Sequence, residues 1–190
     1  MHIHHRRRRF PRPMALAASL VVLGATALPS YAAPASARWR ALFPPPAAYP
    51  RGTQLLRMQS ATRADVLVDP GTAAQVTRLG FIVGGVQAAN LRHQAAASVT
   101  VLVFRTERGA ATFLRQDRPS ALANPNTPGK DVGGLGDGAR YVAGACASCG
   151  PGAAPLGILI LRRGTAVVQI LTQPTDHALA LRLGHAALRR

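Results

Sequence analysis

The 190-residue sequence has few aromatic side chains, few acidic ones and only two cysteines. Phe, Tyr and Trp make up 5% of the chain, so a core has to be built from Val, Leu, Ile and Ala. The seven acidic residues are spread singly, and no carboxylate pair suggests acid–base catalysis. Nucleophile-elbow and metalloprotease patterns are also absent. The sequence therefore predicts no catalytic, cofactor-binding or metal-binding residue and no cofactor, and it favours a non-enzymatic domain.

Basic residues, in contrast, are abundant: 23 Arg and Lys, all but Lys130 being Arg, give a net charge of +16. Five of the arginines lie in the N-terminal leader, and without them 18 basic residues face 7 acidic ones, a net charge of about +11. This charge would favour an anionic partner such as nucleic acid, anionic lipid or an acidic component of the cell envelope, and a basic, solvated surface is the alternative. The arginines are dispersed and are not interleaved with aromatics, so sequence-specific nucleic-acid binding is not expected.

Residues 1–32 have the organisation of a secretory signal peptide. An Arg-rich stretch precedes an apolar run from Met14 to Leu28, which is short for a membrane span, and Ser30-Tyr31-Ala32 offers a cleavage site. Ala35-Ser36-Ala37 is a second option, and Arg7-Arg8-Arg9-Phe10 also fits a twin-arginine signal, although general secretion is favoured. The predicted location is exported, either extracytoplasmic or secreted.

No cysteine lies near the cleavage site, so a bacterial lipid anchor is not expected. If the leader stays uncleaved, it is the one predicted membrane contact. Residues 33–53 are predicted to form a Pro/Ala-rich tether, because prolines interrupt regular structure throughout it. Trp39 and Phe43 within it are expected to tuck against the edge of the domain, with contact to a membrane surface as the alternative.

Residues 54–190 are predicted to form one α+β domain. The stretch Pro155 to Leu171 indicates two apolar strands joined by a turn at Gly164, and both of its faces are apolar, which places it centrally in a sheet. Adjacent strands with short links indicate an antiparallel sheet of about five strands with helices packed on one face. The other predicted elements are strands at 81–91, 99–105 and 141–142, and helices at 72–79, 107–117 and 176–188, the last two capped by Thr106 and Thr175.

Cys146 and Cys149 form the most conspicuous motif. In an oxidising exported compartment, two cysteines three positions apart are predicted to form a local disulfide. A redox-active pair is the alternative, but the Gly150-Pro151-Gly152 that follows prevents the helix such pairs use. Gly150 also replaces the His of a haem-attachment motif, and a zinc site would need His177 and His185 as further ligands.

A glycine-rich loop at 133–138 superficially resembles a phosphate-binding loop. It lacks the Lys and the Ser or Thr that such a loop requires, and a strand rather than a helix follows it. The favoured interpretation is a tight turn in which Asp137 caps backbone amides.

Four stretches carry a resemblance to known proteins: Leu79-Gly80-Phe81; Val101 to Arg105 leading to Ala110-Ala111-x-Phe113; Val132 to Ala139; and Arg162 to Thr165 followed by Val167-Val168. Their order, over about residues 50–190, resembles small exported domains of unknown function in actinobacteria, similar to secreted lipoproteins and extracellular sensor-like domains. The resemblance implies an α+β fold outside the cytoplasmic membrane and a role in ligand sensing or envelope binding. The chain lacks the lipid-attachment cysteine of the lipoprotein members.

The sequence thus predicts an exported, non-enzymatic domain that binds a ligand or an envelope component. The alternative is a redox or metal-handling protein that uses Cys146 and Cys149. Oligomeric state and ligand identity have no signal in the sequence.

Intact mass of the protein recovered from the envelope and the medium tests these predictions. We expect cleavage near Ala32, and a mass below that of the reduced form by two hydrogen atoms, since export permits the disulfide. A full-length cytoplasmic product with two free thiols would contradict both predictions and favour the metal-handling alternative.

Overall fold

The fold consists of one antiparallel sheet with helices on both faces. The computed structural model of the chain describes residues 38–91, 94–116, 129–144 and 154–189. Within them, none of the helices is long and apolar enough to cross a membrane. The strands are β1 (Thr53–Leu55), β2 (Gln59–Ala61), β3 (Phe81–Leu91), β4 (Gln94–Phe104), β5 (Lys130–Asp131), β6 (Gly138–Gly144), β7 (Leu156–Arg163) and β8 (Ala166–Thr172). The helices are α1 (Pro70–Arg78), α2 (Glu107–Gln116) and α3 (His177–Leu188), with 3-10 helices at Trp39–Leu42, Pro46–Ala48 and Ala64–Val66.

The strand order is β1-β3-β4-β8-β7-β6-β5, with β2 pairing to β3 beside β1. All pairs are antiparallel, and the predicted hairpin, β7–β8, lies near the middle of the sheet. The α+β class and the antiparallel sheet are confirmed, with eight strands in place of about five. The additional strands β1, β2 and β5 are only two or three residues long, too short for a period-two pattern to be visible in the sequence.

The central strands bury side chains on both faces. On β4, Val99, Val101 and Val103 contribute to one core cluster, whereas Leu102 and Phe104 contribute to another. The face that carries Val101 is called the first face below, and the face that carries Leu102 the second face. Helix α3 covers the first face, and helices α1 and α2 cover the second face. The prediction of helices on one face is therefore corrected: a sheet that is apolar on both faces has to be covered twice.

The segment before β1 forms part of this cover. Trp39, Phe43 and Tyr49 are buried in the core of the first face, and the rings of Trp39 and Phe43 meet edge-on with centroids 5.9 Å apart. The prediction of a tether over 33–53 therefore does not hold for the part described here, while the expected packing of both rings against the domain does. Prolines exclude a long helix, but they are compatible with 3-10 turns. Burial also raises the pKa of Tyr49 to about 12.

Two adjacent glycines, Gly84 and Gly85, lie within β3, and the second explains how the Trp39 ring approaches the sheet. The pair suggests a bulge or a bend, yet β3 stays in register with β4 at both glycines, and the register shifts lie elsewhere in the strand. A Cβ on Gly85 would lie 2.7 Å from Cζ3 of Trp39 and 2.8 Å from the carbonyl oxygen of Gln59. The missing side chain therefore gives the indole ring its space.

Side-chain caps fix where the helices begin. The Thr106 hydroxyl accepts a hydrogen bond from the Gly109 amide at 3.1 Å, as predicted for α2. Helix α3 is capped by Asp176 rather than by the predicted Thr175: Oδ1 of Asp176 accepts from the Leu179 amide at 2.8 Å. Both residue types are good caps, so propensity alone does not distinguish them.

Replacing Gly85 with alanine tests the packing of Trp39. Alanine in a strand interior is normally favourable relative to glycine, but here the methyl group has to displace the indole ring. We expect a loss of about 1–3 kcal/mol in the free energy of unfolding by chemical denaturation, with Trp39 emission shifted to the red. Gly133→Ala is the control, since nothing lies within 4 Å of its added Cβ. Equal stability of the two variants would contradict this packing.

Candidate functional site

A cavity of about 460 Å³ opens on the first face, between the 3-10 helix Trp39–Leu42 and the β7–β8 turn. This volume is within the range of small-molecule sites, about 300–1,000 Å³. The lining residues are Arg38, Trp39, Ala41, Leu42, Val103, Arg163, Thr165 and Ala166.

The floor of the cavity is apolar and belongs to the core. Val103 and Ala166 face each other as the last pair in the register of β4 and β8, and both are buried. Trp39 and Leu42, also buried, form the wall on the side of the N-terminal segment. Because the side chain of Ala166 is small, the floor lies close to the backbone of β8, and space remains beneath the 3-10 helix.

The rim is basic. Arg38 is exposed at the start of the 3-10 helix, and Arg163 is exposed at the end of β7. Nη1 of Arg163 donates to the carbonyl oxygen of Leu188 at 2.7 Å, so this guanidinium also satisfies a carbonyl at the end of α3. The guanidinium of Arg40 lies over the Trp39 ring, with Cζ 5.4 Å from the ring centroid.

No carboxylate is among the residues that line the cavity. Of the residues that the structure describes, neither Arg38 nor Arg40 is in an ion pair with Asp or Glu. The ion pairs there join Arg63 to Asp65, Arg140 to Asp131 and Arg162 to Asp137. A positive rim above an apolar floor suits a ligand with an anionic group and an apolar body.

The glycine-rich loop at 133–138 holds the turn on which the rim depends. Oδ2 of Asp137 accepts a hydrogen bond from the Gly164 amide at 2.6 Å and lies 3.4 Å from Nη1 of Arg162. The Asp137 amide in turn donates to the carbonyl oxygen of Arg162 at 2.9 Å. Gly164 has a φ of +58°, which a tight turn requires and which glycine adopts without strain. The prediction that Asp137 caps backbone amides is confirmed, and the amide belongs to the β7–β8 turn that carries Thr165.

The predicted disulfide lies elsewhere in the chain. Cys146 and Cys149 are outside the described residues, so the disulfide and its redox and zinc alternatives stay predictions. The possible zinc ligand His177 packs its ring against that of Tyr141, with centroids 4.4 Å apart. Within the described ranges, no group of three or more His, Cys, Asp or Glu is placed to hold a metal ion.

Tyr141 beside His177 is a second place where polar groups meet. Its hydroxyl is buried without a hydrogen-bond partner among the described residues, and a Cβ on Gly157 would lie 2.5 Å from it. Loss of solvation, assisted by the negative charge of Asp176, raises the pKa of Tyr141. The cluster packs the middle of β6 against the start of α3, which is a structural role for His177.

Sequence reasoning missed the cavity because its two walls come from segments interpreted as a tether and a simple turn. Arg38 and Arg163 are more than a hundred positions apart, and no local pattern joins them. The one usable signal was the four-residue spacing of Trp39 and Phe43 in a chain with few aromatics.

Comparisons with known proteins give a likeness of fold alone. No protein-family model and no curated protein matches the sequence. The crystal structure of the extracellular domain of PknH from Mycobacterium tuberculosis is similar, with a TM-score of 0.52 and 12% sequence identity. The match covers 80% of this chain and 93% of that domain. The chain therefore shares its fold with an extracellular domain, as the sequence resemblance implies.

Removing the carboxylate of Asp137 tests its hold on the turn. Asp137→Ala leaves the Gly164 amide without its acceptor and Arg162 without its ion pair. We expect the free energy of unfolding to fall by about 1–3 kcal/mol in denaturant titrations, because the lost hydrogen bond is charge-assisted. Asp131→Ala, which removes an exposed ion pair at the sheet edge, is expected to cost less than about 1 kcal/mol. Equal losses would show that Asp137 does not secure the turn.

Proposed function

We propose that this protein is an exported, extracytoplasmic binding domain without catalytic activity, and that its ligand is an anionic component of the cell envelope. The observation that carries the proposal is the cavity itself, an apolar space whose rim holds Arg38 and Arg163. Its named lining residues include neither a carboxylate nor a histidine, the usual general acids and bases, and this favours binding over catalysis.

Two further observations support the location. The N-terminal 32 residues have the pattern of a signal peptide, and a solved domain with a similar fold is extracellular. We include in the proposal a relationship to the exported actinobacterial sensor-like domains that the sequence resembles. A sensor of this type would bind its ligand outside the cytoplasmic membrane.

The charge of the domain supports an anionic partner. After the leader, 18 basic residues oppose 7 acidic ones. Such an excess raises the local concentration of anions at the surface, and the effect weakens as salt screens it. The proposed function combines this general attraction with a defined site on the first face.

The test is retention of the exported protein on vesicles of phosphatidylglycerol and on isolated wall polymers, with phosphatidylcholine vesicles as the neutral control. We expect retention on anionic material at about 50 mM salt and release at about 500 mM. Absence of retention at low salt, or equal retention on neutral vesicles, would refute the proposal.

Matched double variants separate the site from the overall charge. Arg38→Gln with Arg40→Gln removes two charges beside the cavity, and Arg78→Gln with Arg108→Gln removes two exposed charges from α1 and α2 on the second face. We expect the first pair to weaken retention about tenfold or more, because each arginine near an anionic surface contributes about 1 kcal/mol. Equal weakening by the two pairs would show that net charge alone governs binding.

A further inference from the structure

The cavity on the first face combines two chemistries that few single ligands satisfy. Its floor and wall are buried hydrocarbon and indole, whereas its rim carries Arg38 and Arg163. We propose that it binds a single-headed anionic amphiphile, with a carboxylate or phosphate monoester on Arg38 and an alkyl chain against Trp39. This inference rests on the proposed binding function and names the chemical class of its ligand.

The apolar half of the ligand is specified by the floor. Trp39, Leu42 and Val103 are each less than 10% exposed, yet all three line a cavity that opens to solvent. A polar ligand placed there would lose its hydration, and of these three side chains only Trp39, through its indole N–H, could donate a hydrogen bond in return. An alkyl chain loses nothing of this kind, and its transfer from water to hydrocarbon is favourable.

The charged half is specified by the rim. A guanidinium presents a planar fork of N–H donors that matches two oxygens of a carboxylate or a phosphate. Arg38 stands at the rim with no carboxylate partner among the residues described, and Thr165 also belongs to the lining. Arg163 contributes positive potential from a position fixed by its bond to the Leu188 carbonyl.

The ligand would bridge two parts of the chain. Arg38, Trp39 and Leu42 belong to the N-terminal segment, whereas Val103, Thr165 and Ala166 belong to the sheet and its central turn. An amphiphile between them would add contacts that hold the 3-10 helix on the sheet. Occupancy is therefore expected to raise the thermal stability of the domain.

The chain contains one tryptophan, and it lines this cavity, so intrinsic fluorescence reports occupancy directly. The exported protein is titrated with octyl phosphate and with octanoate below their micelle concentrations. Octyl glucoside, octylammonium and inorganic phosphate are the controls that lack the negative head or the tail. We expect a saturable change in Trp39 emission and a raised Tm with the two anionic amphiphiles, each at least about tenfold tighter than any control.

Substitutions at exposed positions test the site without disturbing the core. Ala41→Glu places a carboxylate on the lining, and Ala47→Glu makes the same change at an exposed position outside it. We expect Ala41→Glu and Arg38→Gln each to weaken octyl phosphate binding about tenfold, while Ala47→Glu and Arg78→Gln leave it unchanged. Circular dichroism confirms that each variant is folded before it is titrated.

Four results would overturn the inference. Equal affinity for octyl glucoside would show a purely apolar site, and equal affinity for inorganic phosphate would show a simple anion site. Unchanged affinity in both Arg38→Gln and Ala41→Glu would place binding elsewhere. If retention on anionic envelope material persists while octyl phosphate and octanoate leave Trp39 emission unchanged, this inference fails and the proposed function stands; if retention is also absent, both fail.

One further arm identifies the source of the amphiphile. Phosphatidylglycerol vesicles are added in place of the monomers, and Trp39 emission is recorded for the protein and for Ala41→Glu. A response that Ala41→Glu abolishes supports the inference with a membrane lipid as the ligand. A response to octyl phosphate and octanoate alone supports it with a free amphiphile.

Discussion

The structure depends on one constraint: its central strands are apolar on both faces. Strands β4, β8 and β7 alternate their buried side chains between the two core clusters, and side chains such as Leu102 and Leu159 are fully buried on opposite faces. Burying a side chain of this size contributes about 1.5–3 kcal/mol, so neither face can be left to water. The domain therefore needs two covers. Helices α1 and α2 cover the second face, and α3 covers only part of the first face.

The rest of the cover over the first face comes from the N-terminal segment, and this origin shapes the site. Prolines prevent the segment from forming a long helix, so it covers the sheet with short 3-10 turns and a few large rings. Gly85 makes room for the ring of Trp39, which can then lie close to the backbone of β3. Such a cover is less continuous than a helix. The cavity lies where it meets the small side chain of Ala166, at the end of the β4–β8 pairing.

The strands and helices could be predicted where the sequence has a local periodicity, but not where contacts between distant residues determine where an element begins or ends. Strand β3 was predicted with the bounds that it has, because Gly80 precedes its largely apolar run and the polar residues Arg92 and His93 follow it. Strand β4 begins at Gln94 rather than at the predicted Val99, since its first residues are mostly alanines without a strand pattern. Helix α3 is capped by Asp176 rather than by the predicted Thr175, and cap propensity does not distinguish these two neighbouring residues.

The candidate site was beyond such reasoning for a different physical reason. The indole of Trp39 is placed by Gly85, and the turn that carries Thr165 is placed by Asp137, so each wall depends on a contact that is distant in the sequence. The excess of arginine is evident from the composition, but a net charge does not show where on the protein a binding site lies. Charge spread over the surface attracts anions of every kind, and its contribution falls with salt. Selection among those anions requires a place where one arginine stands beside buried hydrocarbon, and among the described residues Arg38 above Trp39 and Leu42 satisfies that requirement. In the proposed function, attraction and selection therefore have separate physical origins, and pairs of variants matched in net charge can distinguish them.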